Sequence, residues 1–136
     1  MRSLTVAAKK EELETVQAFV DGILEEHDCP MKTQFQIDVA VEEIFVNIAS
    51  YAYPPDTGTA EIRANVPDEG GSATVTFTDH GVPFDPLAKE DADISADALM
   101  GRTGGLGILM TKKMMDEVTY EFCDGENRLT IRKNWK

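Results

Sequence analysis

Three places in the sequence combine residue types and spacings that could do chemistry. Glu43 and Asn47 stand four residues apart, so on a helix a carboxylate and an amide oxygen share one stripe and point the same way. Glu42 is the rival carboxylate, but its neighbour four residues on is Val46. Asp79 continues the parity of Ala73, Val75 and Phe77, which aims an acceptor at the apolar face just as the alternating run ends. Burying a charge there is costly unless a donor meets it. His80-Gly81 follows, and a residue without a side chain lets another molecule approach the backbone, so an acceptor here suits the amino edge of a purine. Gly104-Gly105-Leu106-Gly107 would offer unpaired N–H groups and the positive end of a helix dipole to an anion. This run is not a Walker loop, because no Gly-x-x-x-x-Gly-Lys-Ser/Thr is present, and Met110 stands where a dinucleotide fingerprint needs its third glycine. His27 and Cys29 could begin a metal site, but no second pair completes four ligands.

The elements that must position these groups follow from hydrophobic periodicity. Leu4, Val6 and Ala8 alternate as a short strand, and Leu13, Val16, Val20, Ile23 and Leu24 recur at helical spacing up to His27–Pro30. Ile37, Val41, Ile44, Ile48 and Tyr51 form the stripe of a second, longer helix that Pro54-Pro55 must stop, and this helix carries Glu43 and Asn47. Ala60-Ile62-Ala64-Val66 and Ala73-Val75-Phe77 flank a Pro-Asp-Glu-Gly-Gly turn and read as a hairpin. Residues 85–103 lose all periodicity and read as an acidic loop of the length that usually serves as a lid. The glycine run opens a third helix through Met115, and a last hairpin turns at Asp124-Gly125. The inward parity of that hairpin is Leu129 and Ile131, so Thr130 should face away.

The 136 residues predict one domain, 1–136, and 42% hydrophobic content is enough for it to fold. A net charge of −12 repels nucleic-acid phosphate and anionic lipid, so neither nucleic acid nor membrane is an expected partner. An acidic chain that binds a polyphosphate needs backbone amides, a metal ion or both. Two distant cysteines and an amino terminus without an apolar core predict a cytoplasmic protein.

The order of these features, with VEEIFVNIASYAY, FTDHGVPFDP, TGGLGILMTKKMMDEVTY and NRLTIRK, resembles the GHKL ATPase superfamily of gyrase, heat-shock chaperone and histidine-kinase ATP-binding domains. Within it, the sequence is most similar to the single-domain bacterial anti-sigma-factor serine kinases. The resemblance implies an α+β two-layer sandwich, its mixed and mostly antiparallel sheet covered on one face by three main helices. It implies ATP as substrate and Mg²⁺ as cofactor, with Asn47 giving its amide oxygen to the metal and Glu43 acting as general base or orienting the attacking hydroxyl. Asp79 and Gly81 fall on the first glycine box, with Asp79 accepting from the adenine amino group. Gly104, Gly105, Leu106 and Gly107 fall on the second and would hold phosphates, with Arg102 sensing the γ-phosphate and 85–103 as the lid. Pro83 stands where the first box usually has another glycine.

The function so implied is a protein serine/threonine kinase that phosphorylates an anti-anti-sigma factor on serine and sequesters a sigma factor, as a homodimer. The alternative is a regulator of the same fold that uses nucleotide as a conformational ligand, or not at all, and acts through protein contact. A two-component histidine kinase is disfavoured, because the chain has no room for a dimerisation helix pair with a phosphoacceptor.

Overall fold

Alternation with period two and recurrence with period 3.6 produce the strands and helices they predict. The computed structural model describes residues 2–53, 56–83 and 111–136. Among these, β1 (Arg2–Ala7) leads through a short 3-10 turn to α1 (Leu13–Glu26), then α2 (Met31–Tyr51), β2 (Thr59–Asn65) and β3 (Ser72–Asp79). The chain closes with β4 (Glu117–Cys123) and β5 (Glu126–Asn134). The expected third helix is described only over residues 111–114; its opening and the 85–103 loop lie outside the described residues.

The five strands form one sheet in the order β1-β2-β3-β5-β4. The sheet expected to be mixed and mostly antiparallel is antiparallel at each of its four pairings. The last hairpin turns on Asp124 and Gly125 with φ of 54° and 77°, the pair of left-handed residues that a two-residue turn matched to strand twist requires. Registers follow from parity. Ile62 stands between Leu4 and Phe77, and Phe77 lies opposite Leu129, so one face of the sheet is continuously apolar.

Both helices pack on that face. Val16, Val20, Ile23 and Leu24 of α1 and Ile37, Val41, Ile44 and Phe45 of α2 are buried against Ile62, Val75, Phe77 and Ile131. Each such side chain contributes about 1.5–3 kcal/mol by leaving water, so this two-layer contact dominates stability. Thr130 faces away from the helices as its parity requires, its hydroxyl 3.1 Å from that of Thr76.

Between α1 and α2 an acid pair interrupts the apolar contact. Asp21 and Asp38 face each other, and each has a buried oxygen with no hydrogen-bond partner among the described residues. Burial, then the Asp21 carboxyl against it and the charge of Glu25, push Asp38 up to about 8. The folded state therefore holds a proton that the unfolded chain releases near pH 4. This contribution is complete below the unfolded value and is lost as pH rises from about 4 to about 8. Asp38 is only partly buried, so solvent screening reduces the effect to about 1–2 kcal/mol. Asp38→Asn is expected to raise the melting temperature at pH 8.5 by about 3–5 °C and to leave it nearly unchanged at pH 4.5. Thermal unfolding followed by circular dichroism at the two pH values checks this, and equal shifts at both would refute it.

Candidate functional site

The amphipathic stripe of α2 and the ends of β3 and β5 line an open cleft at one edge of the helix–sheet contact. Ile44, Ile48, Phe77, Leu129 and Val82 make it apolar, while Asn47, Asp79 and Asn127 supply polar groups. Asn47 and Asp79, 32 residues apart in sequence, therefore reach one cavity. That is the combination a flat heteroaromatic ligand needs: an apolar slot with a few fixed hydrogen-bonding groups.

Glu43 lies one turn before Asn47 and accepts a hydrogen bond from its side-chain amide. Burial raises the Glu43 carboxyl above its usual range, the nearby Glu42 adds to this, and the Asn47 bond opposes both. Glu43 Oε1 is buried and has no partner among the described residues. Because the Asn47 amide N–H is turned toward Glu43, its carbonyl oxygen is left for another partner. Glu42, the rival carboxylate, is exposed.

Asp79 sits at the inner-facing end of β3 and is 5% exposed. Its Oδ1 accepts from the Gly81 N–H at 2.9 Å and from Asn127 Nδ2 at 2.9 Å. Its Oδ2 takes neither bond. The room beside Gly81, expected to admit another molecule, is filled from within the protein. A Cβ at Gly81 would lie 2.2 Å from the Ala52 carbonyl oxygen, and the same oxygen accepts from the Val82 N–H at 3.0 Å. Glycine is needed here so that the end of α2 can dock on the strand end. Tyr53 fastens the same corner, its hydroxyl accepting from the His80 N–H at 2.8 Å and donating to the Thr59 carbonyl at 2.6 Å.

Two groups of the site escaped the reading of the sequence. Asn127 lies directly opposite Asp79 in the β3–β5 register and is buried, and Tyr120 on β4 donates its hydroxyl to Asn127 Oδ1. The parity of Leu129 and Ile131 extends to residue 127 and was the signal available. Tyr51, placed in the core stripe by periodicity, is instead 55% exposed and lines the cleft mouth. Arg102 and Gly104, Gly105, Leu106 and Gly107 lie outside the described residues.

An antiparallel five-stranded sheet with helices on one face, and an apolar cleft between α2 and the ends of β3 and β5, define an α+β sandwich with a ligand slot at the helix–sheet boundary. The histidine kinase-like ATPase domain family model matches residues 6–133, and the chain belongs to that family, within the GHKL superfamily. The chain is 23% identical over 100 residues to the serine/threonine-protein kinase BtrW of Bordetella bronchiseptica, covering 74% of this chain and 70% of that protein. Among solved structures it is similar in fold to the histidine kinase domain of a blue-light activated histidine kinase from Erythrobacter litoralis. There the TM-score is 0.57 at 15% identity, over 92% of this chain and 60% of that one. No helix among the described residues is long and apolar enough to cross a membrane.

Proposed function

We propose that this chain is a single-domain, Mg²⁺-ATP-dependent protein serine/threonine kinase of the anti-sigma type. It phosphorylates a serine of an anti-anti-sigma factor and sequesters a sigma factor, as a cytoplasmic homodimer. The observation that carries this reading is the convergence of Asn47 and Asp79 on one apolar cleft, with Glu43 hydrogen-bonded to Asn47 and holding an unpartnered oxygen. The similarity to BtrW supports a serine or threonine as acceptor.

The purine ring occupies the apolar slot and gives its amino group to Asp79, and the phosphates extend toward Asn47. The donor set fits a metal held jointly with phosphate. Among the described residues no cluster of three or more His, Cys, Asp or Glu could hold an ion alone, whereas the Asn47 carbonyl oxygen is left available by the Glu43 bond. Mg²⁺ bound there would offset phosphate charge that an acidic protein otherwise repels. Glu43 aligns the acceptor hydroxyl and takes its proton. The family resemblance assigns the phosphates to Gly104, Gly105, Leu106 and Gly107, the γ-phosphate to Arg102 and the lid to 85–103, all of which lie outside the described residues.

The test is titration of a fluorescent ATP analogue against wild type and Asn47→Ala, each with Mg²⁺ and with chelator. Wild type is expected to bind at least about tenfold more tightly with Mg²⁺, and Asn47→Ala to lose that difference. Absence of binding under every condition would overturn the kinase reading. A second reading, a regulator acting by protein contact without catalysis, is favoured by Met31 and Phe35. They stand four apart at the start of α2, 88% and 68% exposed.

A further inference from the structure

The amide of Asn127 is fixed more tightly than ordinary packing requires. Its Nδ2 donates to Asp79 Oδ1 at 2.9 Å and to the Val82 carbonyl at 2.9 Å, with the Gly81 carbonyl at 3.4 Å. Its Oδ1 accepts from the Tyr120 hydroxyl. The reverse orientation would set the amide oxygen against a carboxylate and two carbonyls, so chemistry allows only one. Both amide hydrogens are thereby spent inside the protein. The residue is 6% exposed yet lines the cleft, so what it presents to a ligand is set by this network.

We propose that Asn127, clamped by Tyr120, is a positioning residue that fixes Asp79 as an acceptor and withholds every donor of its own from the base, making the cleft selective for 6-aminopurine over 6-oxopurine nucleotides. The inference rests on the nucleotide-binding reading above and deepens it. With Oδ1 held by Gly81 and Asn127, the Asp79 carboxylate cannot rotate, and Oδ2 is left in a set direction. An exocyclic amino group meets that oxygen as a donor. A 6-oxo group meets it oxygen to oxygen, beside an Asn127 amide whose hydrogens are already engaged and walls that are otherwise mostly apolar. A buried polar group matched to one substrate atom rejects the analogue lacking it far more strongly than shape alone can. Without Asn127 the carboxylate loses one of its two anchors and can turn, water can enter, and the penalty on the oxo group falls.

The experiment is competition of ATP and inosine triphosphate, each with Mg²⁺, against a bound fluorescent ATP analogue, for wild type, Asn127→Leu and Asn127→Ser. Wild type is expected to prefer ATP by at least about 100-fold, and both variants to lower that ratio by about tenfold or more. Asn127→Ser keeps a small polar group whose hydroxyl can donate or accept, so it decides the matter if Asn127→Leu does not fold. A merely structural role would weaken both nucleotides together, and an unchanged ratio in a variant that binds would overturn the inference alone. Failure of wild type to bind either nucleotide would overturn the nucleotide reading and this inference with it.

Discussion

Glu43→Gln is expected to lower phosphotransfer to a protein serine by at least about 100-fold while nucleotide affinity stays within about threefold of wild type. The change is nearly isosteric. Glutamine retains a carbonyl oxygen for the Asn47 amide N–H, so Asn47 keeps its orientation and the nucleotide its partner. What is lost is the capacity to take a proton, and position and burial suit Glu43 to that task. Its carboxyl is raised, mainly by burial, which makes it a better base than an exposed glutamate, and its Oε1 has no other partner to satisfy. The wild-type rate should fall on acidification through a value above the ordinary glutamate range, because the active form is the deprotonated one. That acidic limb should vanish in Glu43→Gln. Glu42→Gln, at the exposed neighbour, should change neither rate nor affinity appreciably. Undiminished phosphotransfer by Glu43→Gln would remove the base from the mechanism, and transfer absent in wild type would leave the protein-contact regulator.

The parts of this molecule legible in the sequence are those determined by neighbours along the chain. Asp124-Gly125 names its own turn, because two left-handed residues between alternating runs admit little else. Asp79 could be placed inside from the parity of β3, and Glu43 beside Asn47 from the pitch of a helix. The rest depends on which strands and helices meet. β3 pairs with β5 rather than β4, and only that pairing brings Asn127 opposite Asp79. Gly81 signalled close approach, but that the approaching group is the Ala52 carbonyl follows from where α2 ends over the sheet. Tyr51 fits the apolar stripe and is exposed, because the last turn of α2 runs out over the cleft mouth. The Asp21 and Asp38 pair was invisible because each residue is unremarkable on its own helix, and the cost arises from the packing of one helix on the other.

Asp79→Asn should weaken ATP binding by about 100-fold or more with the fold intact, whereas Asp79→Ala should abolish binding and also destabilise the protein by about 2–4 kcal/mol. The two variants separate what the carboxylate does for the protein from what it does for the ligand. In the alanine variant the Gly81 N–H loses its side-chain acceptor and the Asn127 NH₂ loses one of its acceptors in a buried corner, and that desolvation penalty falls on the folded state. The asparagine variant can keep its carbonyl oxygen on those same two donors, which dictates the direction of its NH₂: into the cleft, where Oδ2 had been. A donor then meets the amino group of adenine, and the repulsion falls on the complex alone. The same NH₂ would meet the oxygen of a 6-oxopurine favourably, so Asp79→Asn should invert the preference between ATP and inosine triphosphate rather than merely erase it. Competition binding beside thermal melts of both variants reads the two effects independently. Inversion in a fully folded Asp79→Asn would show that this oxygen is what the base touches. Equal weakening of both nucleotides would mean that the carboxylate serves only to hold Gly81 and Asn127 in place.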